Sequence, residues 1–203
     1  MFIDTHIHSK FSHCSNIGLK ELFIRSIDKG LDAIIITDHN ILSYEVLEHF
    51  PKEYREMLRV YIAEEITTTK GDILAYGITE TISKGFSPER TIDLIHEQGA
   101  IAVAAHPYRR TGKIGHYNLI GLGDEIYNLD LDAIEVANGG HKREFDKLAA
   151  KAARSVGLPG IGGSDAHEAS EIGLVSLETP RFDEFGEFIS IIKKEDFRIH
   201  YNL

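Results

Sequence analysis

Cysteine is nearly absent: the 203-residue chain holds one, Cys14, so an intramolecular disulfide is excluded. That usage suits a reducing cytoplasm. Long apolar runs are missing too. The longest, such as Ile101 to Ala105, are far too short to cross a bilayer. No basic segment followed by an apolar stretch opens the chain at MFIDTHIHSKF, so no secretory signal is expected. No low-complexity tract, internal repeat or Pro/Gly/Ser-rich linker divides the chain. Positive charge is in deficit, with 22 Lys and Arg against 32 Asp and Glu and a formal net charge of -10. That balance disfavours a nucleic-acid backbone, other than a small nucleotide substrate, and it disfavours an anionic membrane. It suits a site that gathers divalent cations, and equally a merely solubilising acidic surface. The expectation is one soluble, cytoplasmic domain over residues 1–203, its oligomeric state left open.

What is present is ordinary in bulk: 42% hydrophobic and 27% charged residues. The order is more informative. Short apolar runs alternate with helix-like stretches. The runs are Phe2-Ile3, Ala33 to Ile36, Val60 to Ala63, Ile73 to Tyr76, Ile101 to Ala105, Ala133 to Val136, Gly160 to Gly162 and Leu174 to Leu177. Most are continuous, as in strands buried on both faces of a parallel sheet. Leu22, Phe23, Ser26 and Ile27 predict a helix over Leu19 to Lys29 that ends at Gly30. Ser87-Pro88 predicts a capped helix start, running to Gln98 and stopping at Gly99. A third helix is predicted from Arg143 to Ser155, before Gly157. The class is α/β with βαβ units, and either a small barrel or an open sheet satisfies the pattern.

Histidines and carboxylates follow the apolar runs. Phe2-Ile3 leads into Asp4-Thr5-His6-Ile7-His8, and Ile34 to Ile36 into Thr37-Asp38-His39. Val60 to Ala63 leads into Glu64-Glu65, Ala102 to Ala105 into His106-Pro107, and Ile161 to Gly163 into Ser164-Asp165-Ala166-His167. Strand C-termini of an α/β fold converge on one rim, where ligands bind. Imidazoles and carboxylates together are divalent-metal ligands. His6 and His8, two apart on a strand, share a face and suit one ion. Glu65 and Asp165 are bridging or completing ligands, and His39, His106 and His167 bring the set to two or three ions. Asp4 and Asp38 are placed to bond the non-ligating ring nitrogens. Spacing alone leaves Glu64 and Glu65 as alternatives.

This ordered set resembles the PHP (polymerase and histidinol phosphatase) family. It comprises Asp4-x-His6-x-His8, Thr37-Asp38-His39, Glu65-Ile66-Thr67, Ala105-His106-Pro107 and Gly163-Ser164-Asp165-Ala166-His167. The resemblance implies a distorted (β/α)7 barrel, two or three ions of Zn, Mn or Fe, and hydrolysis of phosphate esters. It implies one ion on His6, His8, Glu65 and Asp165, another on His39 and His167, and a third reached by Glu65 and His106. It selects Glu65, leaving Glu64 facing solvent or supporting the ligands from behind. His6, His8, Glu65, Asp165 and His167 are then the catalytic candidates. The chain departs from the pattern twice. His13 stands where many short relatives have Asp, and is expected as a ligand. Asp72 in Gly71-Asp72 stands where many have His; either it ligates through oxygen or the third ion is weak or absent.

A phosphate substrate calls for cationic clamps. Arg109 comes first, then Arg110, with Lys142 and Arg143 after them, and Tyr108 as a pocket wall. His141 is either a proton donor at the substrate or an exposed histidine at a helix start. Thr111 to Gly123 reads as a mobile loop, a lid. His49, His96 and His200 read as surface residues, and His116 is undecided. The expected function is a metal-dependent phosphoesterase acting on a small phosphorylated substrate. The alternatives are a metal-dependent amidohydrolase or esterase, and a non-catalytic metal-binding regulatory module.

Overall fold

The computed structural model describes residues 1–113 and 116–202, with side chains over 1–110 and 120–202. The chain begins with β1 (Phe2–Ile7), α1 (Leu19–Asp28), β2 (Ala33–Ile36), the single turn α2 (Glu45–Glu48) and β3 (Arg59–Ile62). It continues through β4 (Glu64–Thr67), β5 (Asp72–Tyr76), α3 (Pro88–Glu97), β6 (Ile101–Ala104), β7 (Arg110–Lys113) and β8 (His116–Leu119). It ends with β9 (Ala133–Asn138), α4 (Arg143–Val156), β10 (Gly160–Gly163), β11 (Val175–Glu178), α5 (Phe185–Lys194) and β12 (Arg198–Tyr201).

The continuous apolar runs are buried on both faces. In β2, Ile34 and Ile36 join the core that holds Leu22 and Phe23 of α1. Ala33 and Ile35 face a second core with Leu74, Tyr76, Val103, Phe188 and Ile192. That inner core is closed by α5, while Tyr76 Oη crosses it to donate to Thr5 O at 2.9 Å. The sequence reading missed α5, although Phe185, Phe188, Ile189 and Ile192 stand at helical spacing. Its N-cap is Glu184, outside the usual Ser, Thr, Asp and Asn. The three expected helices are present. Ser87 Oγ accepts from Arg90 N at the start of α3, and Gly157 ends α4 in the left-handed region.

Two five-stranded sheets form, in the orders β12-β11-β1-β2-β3 and β10-β9-β6-β5-β4. They do not merge into one closed ladder among the described residues; isolated bridges span the gaps. Ile7 bridges to Ala166, and His39 to Glu65. His8 N donates to Ala166 O at 3.0 Å, and Asp165 N to His6 O at 2.8 Å. On the other side Ala63 passes the chain from β3 to β4. The expected distorted barrel is thus a ring of strands with two loose seams. The all-parallel reading is corrected: β5 runs antiparallel to both β4 and β6, and β11 antiparallel to β1.

This reversal positions the site. β1, β2, β4, β6, β9 and β10 end at one rim, while β5 begins there. Thr67 at the end of β4 pairs with Asp72 at the start of β5. The stretch expected as a mobile lid contains the antiparallel ribbon β7–β8, in register Arg110 with Leu119. Its tip at 114–115 and the side chain of His116 lie outside the described residues. No described helix is long and apolar enough to cross a membrane.

Candidate metal centre

The rim gathers donors around Glu65. Its Oε2 lies 3.0 Å from His8 Nε2 and 3.3 Å from both His6 Nε2 and His39 Nε2. Its Oε1 lies 2.9 Å from His106 Nε2. Asp165 Oδ1 lies 3.2 Å from His8 Nε2 and 3.4 Å from His6 Nε2. The two Nε2 atoms of His6 and His8 are 3.2 Å apart. Donor atoms of His6, Glu65, His106 and Asp165 form one group within 4.8 Å of one another. His8, Cys14, His39 and His167 form another, and His39, Glu65 and Asp72 a third.

Three of the rings, those of His6, His8 and His167, are turned by a partner behind them, while His39 Nδ1 and His106 Nδ1 are buried without one. His6 Nδ1 donates to Glu135 Oε1 at 3.0 Å, which leaves the Nε2 lone pair facing the cluster. His8 Nδ1 meets Ser12 Oγ at 3.2 Å, and Ser12 Oγ donates to Asp38 Oδ1 at 2.8 Å. His167 Nδ1 donates to the carbonyl of Asp165 at 2.8 Å. The backbone is also held in uncommon conformations. His106 and Asp165 both have positive φ, at 28° and 55°. Non-glycine residues rarely adopt such angles, and when they do they cluster at functional sites.

The electrostatics follow from crowding. Burial works against charge on His6, yet Glu135, Asp165 and Glu65 hold its pKa well above the ordinary value. Burial opposes the His8 charge too, but the Asp165 and Glu65 carboxylates beside it raise its pKa to about 9. Burial pushes His39 down to about 4. Burial would raise Glu65 and Asp165, but the surrounding imidazoles hold both below the carboxylate range. Anions buried this deeply need cationic partners.

The donor set fits divalent ions. A tetrahedral ion with ligands at about 2.0–2.2 Å keeps them roughly 3.3–3.6 Å apart, close to the separations here. Asp165 Oδ1 is buried and has no hydrogen-bond donor, although histidine nitrogens stand beside it. Lone pairs aimed at one another across such distances are what an ion satisfies.

The comparisons with known proteins agree with this arrangement. Residues 4–155 match the PHP domain family. The chain belongs to the PHP family. Residues 144–197 also match the PHP-associated family. The uncharacterized protein MJ1587 of Methanocaldococcus jannaschii is 38% identical over 154 residues, covering 70% of this PHP chain and 84% of the relative. Among solved structures, a two-domain protein of Bacteroides vulgatus containing a predicted PHP-like metal-dependent phosphoesterase superposes with a TM-score of 0.75 at 17% identity. That match covers 99% of this chain but 64% of the other, so the chain spans less than two thirds of that protein. The lesion-specific endonuclease PfuEndoQ of Pyrococcus furiosus gives a TM-score of 0.66 at 17% identity, covering 98% and 58%. These two likenesses show a shared fold.

Of the residues expected at the PHP metal site, the structure brings together His6, His8, His39, Glu65, Asp72, His106, Asp165 and His167. His6 and His8 each lie within 3.4 Å of Glu65 Oε2 and Asp165 Oδ1, the set the resemblance implied for one ion; the donor groups also place His106 with His6, and His8 with His39 and His167. His13 is not among the converging donors, its ring 5.9 Å from that of His39; Cys14, exposed like His13, has its sulfur in the group with His8, His39 and His167 instead. Asp4 does not reach an imidazole. It accepts from the backbone of His6, Ser164 and Gly173, fastening β1 to the β10 exit. Glu64 does not face solvent: it is fully buried and accepts from Ile82 N, because neighbours on a strand point to opposite faces.

Arg109 Nη1 reaches Asp165 Oδ2 at 2.5 Å. Arg110 is exposed at the ribbon's start. His141 is turned to the first turn of α4, where Nε2 meets Asp146 Oδ1 at 2.8 Å. The Arg143 guanidinium lies over the Tyr201 ring. Tyr108 is buried and donates to Asp124. Sequence reasoning missed Glu135 and Asn138. Glu135 also accepts from His106 N and from Asn138 Nδ2, at 2.8 and 2.9 Å. A lone carboxylate inside the apolar run Ala133-Ile134-Glu135-Val136 was the available signal.

Proposed function

We propose that this PHP-family metal-dependent hydrolase cleaves the ester of a small phosphorylated substrate, using at least two divalent ions of zinc, manganese or iron. The supporting observation is the position of Glu65, with one oxygen among His6, His8 and His39 and the other against His106. A carboxylate so placed is suited to bridge two ions. His6, Glu65, His106 and Asp165 would hold one; His8, His39 and His167 would hold the other. Asp72, near Glu65 and His39, is available to a third.

The bound ions would supply an acidified water as nucleophile and would neutralise charge on the phosphoryl oxygens. Arg109 holds the substrate. One arm of its guanidinium bonds Asp165, and the side chain stays 27% exposed, so its other donors remain available to a phosphoryl oxygen. Glu135 and Ser12 keep His6 and His8 in the tautomers that face the centre. The formal charge of -10 favours a small substrate over duplex nucleic acid.

The test strips the full chain with a chelator and adds back zinc, manganese or ferrous iron singly. Substrates are p-nitrophenyl phosphate, bis(p-nitrophenyl) phosphate, an abasic duplex oligonucleotide, and an amide and a lactone. Metal-dependent turnover of a small phosphate ester, lost in His6→Ala, is expected. Turnover confined to the amide or lactone overturns the phosphate reading. Cleavage confined to the oligonucleotide overturns the small-substrate reading. Metal binding with no turnover makes the chain a binding module.

A further inference from the structure

The loop between His8 and α1 carries a chemical group that the expected ligand set does not include. Ser12 Oγ donates to Asp38 Oδ1 at 2.8 Å and accepts from His39 N at 2.9 Å. Ser15 Oγ faces two carbonyls, those of His8 at 3.0 Å and His167 at 3.3 Å. Asn16 N donates to His167 O at 3.3 Å. The segment from Ser12 to Asn16 is therefore fastened on both sides to the backbone that carries His8, His39 and His167. Of the two residues between those serines, Cys14 is the one that contributes a donor. Its Sγ and one nitrogen each of His8, His39 and His167 lie within 4.8 Å of one another, and His13 is outside that group.

A second observation points to a ligand at the same place. Asp165 is 1% exposed, and its Oδ1 has no hydrogen-bond donor. It lies 3.2 Å from His8 Nε2 and 3.6 Å from His167 Nδ1. A buried carboxylate oxygen without a donor thus stands beside His8 and His167, two of the three imidazoles grouped with the thiol. The carboxylate, the imidazoles and the deprotonated thiol all carry lone pairs, and a cation satisfies them together.

We propose that Cys14 Sγ is a ligand of the second ion, beside His8, His39 and His167. This rests on the two-ion reading above and adds a chemical consequence to it. A thiolate is a soft donor, so this position takes zinc or ferrous iron in preference to manganese or magnesium, which want oxygen donors. The thiol gives up its proton on binding, and metal uptake here releases one more proton than imidazole ligation alone.

The chain has one cysteine, so any thiolate signature belongs to Cys14. The experiment titrates cobalt(II) into the metal-stripped full chain and records its electronic spectrum, for wild type, Cys14→Ser and His13→Ala. Wild type and His13→Ala are expected to show an intense near-ultraviolet sulfur-to-cobalt charge-transfer band, and Cys14→Ser none. Zinc affinity, read by chelator competition, is expected to fall about tenfold or more in Cys14→Ser, the scale on which altered support of a metal site acts, with a smaller change for manganese. Zinc is also expected to protect the wild-type thiol from iodoacetamide. Cobalt ligand-field bands without the charge-transfer band overturn the cysteine assignment and leave the metal centre standing. Failure to take up cobalt or zinc at all overturns both.

Discussion

Glu135 Oε1 stands 3.0 Å from His6 Nδ1, and both side chains are sealed from solvent. The same carboxylate accepts the His106 amide at 2.8 Å. One residue of β9 therefore orients a ring on β1 and a backbone turn after β6. Replacing it with Leu should lower metal affinity about 10–100-fold, the usual cost of losing such support. Glu135→Gln should lose less, since its amide oxygen can still accept the Nδ1 proton. Chelator competition measures both. Wild-type affinity in Glu135→Leu would sink the positioning role.

Gly163 lies where β10 crosses β1. A Cβ there would stand 2.5 Å from His6 Cβ and 2.8 Å from His6 N. No rotamer relieves a backbone clash, so Gly163→Ala must push β10 from β1 and displace His6. Overpacking of this kind costs about 1–3 kcal/mol. Gly186, in α5, meets nothing within 4 Å. Gly186→Ala should be stabilising, by up to about 1 kcal/mol. Thermal unfolding of both variants, with metal content by elemental analysis, tests the contrast: the first should lose stability and metal, the second neither.

The donor cluster is readable in the sequence because most of it follows strands whose burial on both faces makes them stand out as unbroken apolar runs. His6, His39, His106 and Asp165 are of this kind. Asp72 precedes its run, so its place at the rim depends on β5 being antiparallel, and a run with no alternation carries no direction. Glu65 sits within β4 after the bend at Ala63, which adjacent apolar letters do not reveal. Glu135 looked like an interruption of a core strand because nothing local says that His6, 129 positions away, will need an acceptor. That Cys14 and not His13 has its donor atom near His8, His39 and His167 turns on the serine bonds that pin the loop, and these exist only once those three have converged. The seams of the barrel were likewise invisible, since they depend on tertiary pairing and not on strand content.

Ions that bind the folded chain and not the unfolded one must stabilise it. At a free concentration one hundred times the dissociation constant the gain is about 2.7 kcal/mol. For a chain of this size that corresponds to roughly 5–11 °C in Tm. Zinc added to stripped protein should therefore raise Tm on that scale, reversibly on chelation. Glu65→Gln keeps the volume but removes the carboxylate charge, and it should lose most of the shift. Calorimetry with and without zinc decides it; an equal shift in that variant removes Glu65 from the centre.

If Arg109 clamps the substrate as proposed, its removal should separate substrate binding from metal binding. Its Nη1 meets Asp165 Oδ2, an oxygen to which Asn138 Nδ2 also comes within 3.4 Å. Truncating it leaves Asp165 with that amide and with the facing imidazoles, so the ions should remain. What should go is a charge-assisted contact to the phosphoryl group, worth about 2 kcal/mol, or roughly thirtyfold in kcat/KM. Arg109→Lys should recover part of it as a point charge without the bidentate fork. The measurement is kcat/KM on a small phosphate ester beside metal content by elemental analysis. Loss of activity together with loss of metal would make Arg109 a support for Asp165; loss of activity with full metal content places it on the substrate.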